Sequence, residues 1–319
     1  MKGYVALTDH DWYRFLRSNA PWDEVNFWQP RGGTLLNPPT GTPFFFKLHS
    51  AHGSRVVGFG EFSWRSRLPA WMAWDCFGAA NGAHDRNSFL IGLAQRRGQP
   101  VDPTGNFPIG CLLIARPVFF APEESVSPPA DWPRSGIQQG KSYDLDQGEG
   151  LRLYAECRAR VSNYPEALPA AAGASVHGIP DRRLGKPYEI KPRLGQGGFR
   201  VAVTDAYGRA CAITSEHSLP VLEAAHIRPF ADGGDHDVSN GLLLRADIHR
   251  LFDQGLVTVT ADHQFLVSRR LEADYNNGRT YYELQRRVKE SGRIRIPSNA
   301  ALQPNRDLLD WHSKERFVT

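Results

Sequence analysis

The sequence predicts an α+β protein in two parts: a strongly curved N-terminal β-barrel, then a compact unit built around two strands and a helix. Three observations carry this expectation. The 319 residues exceed the usual span of one hydrophobic core, so two domains are the natural division. The first part alternates short strand-like runs with Gly and Pro turns, and its first 74 residues hold six of the eight tryptophans. The second part places a strand, a polar glycine-bearing loop, a second strand and a helix in close succession between Glu223 and Gln254.

Strand-like runs cover Val25 to Trp28, Phe44 to Leu48, Val56 to Phe62, Ile109 to Ala115 and Val118 to Phe120. They are rich in β-branched and aromatic residues and bounded by turn formers. With one or two helices they suit a small closed barrel. From about Val161 to Pro187 the composition shifts toward Ala, Gly and Pro. Ala167 to Ala174 and Gly178-Ile179-Pro180 offer little to bury, as a linker would. The expected organisation is therefore 1–160, a linker over 161–187, and 188–319.

In the last part, Phe199, Val203 and Tyr207 recur every four residues, as one helix face does. Glu223 to Ile227 reads as a strand whose exit is Pro229 and the turn Asp232-Gly233-Gly234-Asp235, so His226 lies near a strand end. Gly241 to Leu244 is a second strand. Arg245 to Gln254 is a helix with Leu251 and Phe252 facing inward and Gly255 stopping it. On that helix His249 and Asp253 are four residues apart, on one face, where they can grip one cation. Imidazole and carboxylate suit a divalent ion such as magnesium, manganese or nickel. Leu256 to Val259 and Phe265 to Val267, joined by Ala261-Asp262-His263, read as a hairpin.

Charge and composition are permissive. A net charge of +4 and a pI near 8.9 are a mild excess, too small to identify a nucleic-acid binder. Local clusters are more suggestive: Arg182, Arg183, Lys186, Lys191, Arg193 and Arg200 before the motif, and Arg286, Arg287, Lys289, Arg293 and Arg295 after it. Such clusters can track phosphates, although a solvated surface has the same composition. Four cysteines without paired spacing argue for a reducing compartment rather than a disulfide framework. The N-terminus lacks a basic start and an apolar core, and no apolar run approaches the ~20 residues of a membrane span. A cytoplasmic protein is expected.

The chemistry concentrates in EAAHIRPFADGGDHDVSNGLLLRADIHR, residues 223–250, where His226 precedes Asn240 by 14 positions and Asn240 precedes His249 by 9. Cutting a phosphodiester requires an activated water, neutralisation of charge building on phosphorus, and help for the departing oxygen. A histidine titrating near neutrality suits the first task and a bound metal the other two. The pattern resembles the HNH motif of the ββα-metal endonucleases. The resemblance implies that His226 is the general base, that Asn240 orients its imidazole or braces the loop, and that His249 is a metal ligand. Asp253 stands where colicin-type members place a further ligand histidine. Many members carry an aspartate or histidine directly before the base, whereas this chain has Ala225; Glu223, or water and phosphate oxygens, would complete the shell. GQGGFRVAVTDAY at 195–207, GRTYY at 278–282 and LDWH at 309–312 extend the likeness over roughly the last 130 residues. A structural zinc site from Cys211, His217, His226 and His249 is the alternative, without the close pairs such sites favour.

A second resemblance covers the first part. VNFWQP at 25–30, GTPFFFKLH at 41–49, VVGFGEF at 56–62, AWDCFG at 73–78 and IGCLLIARPVFF at 109–120 are similar to EVE-like domains of the PUA superfamily, which includes readers of modified bases. It implies recognition of an extruded base such as 5-methylcytosine. Trp28, Trp71 and Trp74 are the candidate cage and Asp75 the polar contact, since aromatic faces stack on a flipped base and a carboxylate accepts from cytosine N4. Tryptophans also simply fill small barrel cores. Reader and nuclease together imply a modification-dependent restriction endonuclease acting on double-stranded DNA. A homodimer is expected, because a single site of this kind cuts one strand. Two rivals stand beside it: an HNH endonuclease indifferent to modification, and a catalytically inactive nucleic-acid-binding protein whose metal site has decayed at Ala225.

Overall fold

The structure, a computed structural model, describes residues 1–32, 36–133, 139–161, 163–164 and 194–319. Most of the expected linker, and the basic residues Arg182, Arg183, Lys186, Lys191 and Arg193, lie outside the described residues. The chain forms two compact units, Met1–Gly195 and Gln196–Thr319.

The first unit contains β1 (Lys2–Thr8), α1 (His10–Ser18), β2 (Glu24–Gln29), β3 (Pro43–Leu48), β4 (Val56–Pro69), α2 (Ala70–Phe77), α3 (Arg86–Arg97), β5 (Pro108–Phe119), β6 (Gly140–Asp144) and α4 (Gly148–Val161). Its strands form one six-stranded mixed sheet in the order β2-β5-β4-β3-β1-β6. All neighbouring pairs are antiparallel except β1 and β3, which run parallel with Tyr4 opposite Phe44. Strand alternation sorts the aromatic residues onto two faces. Phe46 meets Trp12 of α1 edge-on at 5.3 Å, while Phe45 packs with Leu153 and Cys157 of α4. Asp9 caps α1 by accepting from the N–H groups of Asp11 and Trp12, which presents Trp12, Tyr13 and Leu16 to the sheet.

The expected closed barrel is not formed. Closure needs backbone pairing between the outer strands, but β2 and β6 remain the two edges of the sheet. Gln29, the last residue of β2, reaches Gln139 beside β6 only through side chains, Nε2 donating to Oε1 at 3.4 Å. Four α-helices rather than one or two accompany the sheet among the described residues. Strand β1 and the edge strand β6 carry too many small and polar residues to stand out as apolar runs. Pro117 reads as a break, yet it lies inside β5, where Arg116 takes φ 50° and the register against β4 shifts.

The second unit contains α5 (Gln196–Ala206), β7 (Leu222–His226), β8 (Gly241–Arg245), α6 (Ala246–Asp253), β9 (Val257–Val259), β10 (Phe265–Val267), α7 (Arg270–Tyr275), α8 (Arg279–Ser291) and α9 (Arg306–Glu315). β7 and β8 pair antiparallel, with Glu223 opposite Leu244 and His226 opposite Gly241. α6 follows β8 directly and buries Ile248 and Phe252, whereas Leu251 is only half-buried. Gly255 ends the helix at φ +69°, where an added Cβ would lie 1.9 Å from the Arg316 carbonyl oxygen, so no other residue fits without moving the chain. β9 and β10 form the expected hairpin. His312 of α9 locks the C-terminus onto this core: it stacks on Phe252 at 3.7 Å, donates from Nε2 to the Phe252 carbonyl and accepts from Thr258 at Nδ1.

Candidate active site

The site begins where the β7–β8 pair opens. His226 is the last residue of β7, and the chain then leaves the sheet for a polar loop that returns at Gly241. The loop is held by Asn240, which is fully buried. Its Oδ1 accepts from the Arg228 N–H at 2.9 Å, and its Nδ2 donates to the carbonyls of Arg228 at 2.9 Å and Asp235 at 2.8 Å. The Ile227 N–H closes the neck on the Asn240 carbonyl. Of the two roles open to Asn240, the geometry is that of a loop brace, and its amide groups are spent on backbone. Gly234 makes the bracing possible, since a Cβ there would meet the Arg228 carbonyl oxygen at 1.9 Å and Asn240 Nδ2 at 2.9 Å.

The His226 imidazole is placed by two other side chains. Phe199 of α5 stacks face to face on it, with centroids 3.9 Å apart and planes 11° from parallel. His236, from the braced loop, comes to 3.0 Å, Nδ1 against His226 Nε2. Phe230, 69% exposed, stacks in turn on His236. Sequence reasoning passed over His236 as one more polar loop residue. Its signal was available: a histidine four residues before the asparagine that anchors its loop. Burial, reinforced by repulsion from His236 and His249, lowers the His226 pKa to about 4. The ring is therefore neutral at neutral pH, with one nitrogen able to accept a proton.

His249 lies on α6 against β7. Its Nδ1 is 2.7 Å from Glu223 Oε2, and its Nε2 is 3.4 Å from Asp253 Oδ2 one turn along the helix. Burial raises the Asp253 pKa, and the nearby Glu223 charge adds to this against the opposing pull of His249. A divalent cation would favour the charged carboxylate. Two donors about 2.1 Å from a shared ion lie roughly 3.0–3.4 Å apart at right to tetrahedral angles, so the Nε2 and Oδ2 spacing fits a common cation. A ligand histidine characteristically gives its other N–H to a carboxylate, which is the place Glu223 takes. Ala225 is fully buried and contributes nothing to such a shell. No group of three or more His, Cys, Asp or Glu arranged to hold a metal occurs among the described residues. Two protein donors would leave the rest of such a shell to water and phosphate oxygens, and an imidazole nitrogen beside a carboxylate oxygen does not by itself select the ion. Of the zinc alternative, Cys211 is fully buried, its sulfur accepting from the Thr214 N–H.

The first unit carries a cavity of about 510 Å³, within the roughly 300–1,000 Å³ typical of small-ligand sites. Its walls include Tyr4, Trp12, Phe27, Trp28 and Phe44, with Asp9, His49 and Arg96 among the polar groups. Of the residues expected as a cage, Trp28 is in the lining; Trp71, Trp74 and Asp75 are not. Those three belong to α2, where Asp75 faces solvent and Trp74 packs on Phe89. The carboxylate in the lining is Asp9, ion-paired with Arg96. Burial works to raise its pKa, but the Trp12 N–H and Arg96 outweigh this and hold it below the usual range. The Arg96 guanidinium also lies over the Trp28 ring at 5.3 Å. Alternation-based reading could not find this wall, because it draws on β1, α1, β2 and β3 together.

Residues 211–260 match the HNH endonuclease family. No curated protein matches the chain. Among solved structures, the chain is similar to a "Modification dependent TagI restriction endonuclease" at 14% identity, covering 92% of this chain and 75% of that one with a TM-score of 0.26, a likeness too loose to bear on fold or function. The family match places an HNH endonuclease domain in the second unit and makes the protein a nuclease.

Proposed function

We propose that this nuclease is a modification-dependent DNA endonuclease: its second unit hydrolyses phosphodiesters with a divalent metal, and its first unit holds an extruded, modified cytosine. The observation that carries the hydrolytic half is His226 at the end of β7, held by Phe199 and His236, in the same unit as a His249 bracketed by two carboxylates. His226 takes a proton from water as its oxygen attacks phosphorus. The bond from phosphorus to the bridging oxygen breaks, and that oxygen is protonated from solvent. His249 and Asp253 would hold the cation, with Glu223 fixing the His249 ring. The cation, when bound, supplies charge neutralisation at the phosphate. Asn240 keeps the loop, and with it the mouth of the site, in one conformation.

The reading half rests on the aromatic cavity. Tyr4 and Phe27, both partly exposed, offer faces on which a base can stack, worth ~1–3 kcal/mol per base. Asp9 and Arg96 supply the polar edge that could accept from and donate to a pyrimidine. Binding there raises the local concentration of the nuclease unit on the same DNA. One catalytic site per chain cuts one strand, so double-strand breaks call for a homodimer.

Digestion of the same plasmid with and without 5-methylcytosine, in magnesium, manganese and nickel, tests the whole reading. Cleavage confined to the methylated plasmid is expected. Equal cleavage of both removes modification dependence and leaves the nuclease; no cleavage with any ion removes the catalytic reading as well.

A further inference from the structure

Asn240, whose side chain is consumed by the carbonyls of Arg228 and Asp235 and by the Arg228 N–H, does not touch the His226 ring. A general base needs its ring held in one tautomer, with the lone pair on the nitrogen that meets water. His236 is the side chain within hydrogen-bond reach of a His226 ring nitrogen, Nδ1 to Nε2 at 3.0 Å.

The direction of that bond decides what His226 can do. If His236 Nδ1–H donates, His226 Nε2 is occupied as an acceptor and the proton of the neutral ring sits on Nδ1, leaving no nitrogen to act as base. If His226 Nε2–H donates to His236, the His226 Nδ1 lone pair is free. We infer that His236 is the positioning residue of the base: its Nδ1 accepts from His226 Nε2–H and selects the reactive tautomer. The inference rests on the nuclease reading and deepens it.

The surroundings are built for this pairing. Phe199 covers one face of His226 and Phe230 stacks on His236, so both rings are limited in rotation about their own planes. Asn240 Nδ2 grips the carbonyl of Asp235, the residue directly before His236, and thereby fixes the point from which the His236 side chain departs. Asn240 thus acts on the base through the loop and through His236. No bond to carbon or phosphorus changes at His236, and the proton taken from water stays on His226 until it returns to solvent.

Two measurements on the full chain test this. In protein with ¹⁵N-labelled histidine rings, near neutral pH, His226 is expected to show a protonated Nε2 and an unprotonated Nδ1. His236→Ala should scramble that signature and lower kcat by about 10- to 100-fold, within the reach of general-base effects, while KM for DNA stays unchanged. His236→Asn, which keeps an acceptor close to the Nδ1 position, should recover most of kcat. A wild-type His226 protonated on Nδ1, or a His236→Ala enzyme with wild-type kcat, overturns the inference. Should the wild-type chain cut no DNA with magnesium, manganese or nickel, the nuclease reading falls on its own, and the ring signals still decide how the two histidines are paired.

Discussion

At the scale of single residues, the proposed chemistry divides between groups that move a proton and groups that hold something still. His226→Ala removes the base. Turnover should fall by ~10²–10⁴-fold, while DNA affinity measured in EDTA stays within a factor of about two, well inside the ~1 kcal/mol that separates minor from important contacts. Glu223 has a different part, since it meets His249 at Nδ1 rather than Nε2. Glu223→Gln should raise the metal concentration for half-maximal activity by ~10–100-fold and leave kcat at saturating metal close to wild type. Equal activation curves for the two proteins would deny Glu223 that role. The sequence singles out His226, Asn240 and His249 through the resemblance of their spacing to the HNH motif, and the structure puts them on a strand end, a loop and a short helix. The sequence does not reveal that His236 meets His226 or that Glu223 meets His249, because those contacts depend on loop path and helix packing.

At the scale of elements, the loop between β7 and β8 and the α9 clamp hold the second unit's geometry. Asn240→Ala leaves an N–H and two carbonyls without their partners in a fully buried position. A loss of about 2–3 kcal/mol is expected, seen as a lower urea midpoint even without metal or DNA. An unchanged midpoint would mean that the loop is not braced there. His312 is 2% exposed, and burial, outweighing the favourable Phe252 carbonyl, lowers its pKa to about 4. Its unfolded value is near 6.5, so between these limits the unfolded chain binds a proton that the folded chain refuses. Stability is therefore intact above about pH 6.5 and declines as pH falls toward about 4, by roughly 3 kcal/mol for this one group. Urea midpoints across that window check it, and His312→Gln should make the decline shallower, leaving the part that His226 contributes by the same route. The hairpin and helix periodicities of this unit were legible because β7, β8, α6, β9 and β10 each carry a local pattern. The six-stranded sheet was only half legible: β1 and β6 pair at its margin and need no continuous apolar run.

At the scale of the whole molecule, the aromatic cavity and the histidine cluster lie in separate units, so the proposed recognition and hydrolysis should be separable by mutation. Phe27→Ala in the cavity wall is expected to cut the preference for methylated over unmethylated plasmid by roughly 5- to 150-fold, the equivalent of one lost stack. Trp71→Ala on α2, outside the lining, should leave the preference in place. The reverse outcome would return the cage to α2. The amino-acid order by itself determined the strand-loop-strand-helix unit, since it follows from periodicity and turn chemistry between near neighbours. Only the tertiary structure decided that the first sheet stays open, that its cavity is walled by Tyr4, Trp12, Phe27 and Phe44, and that His226 is paired with His236. Those outcomes join side chains from distant segments, and their geometry is set by how bulky rings share a limited interior, which no local pattern encodes.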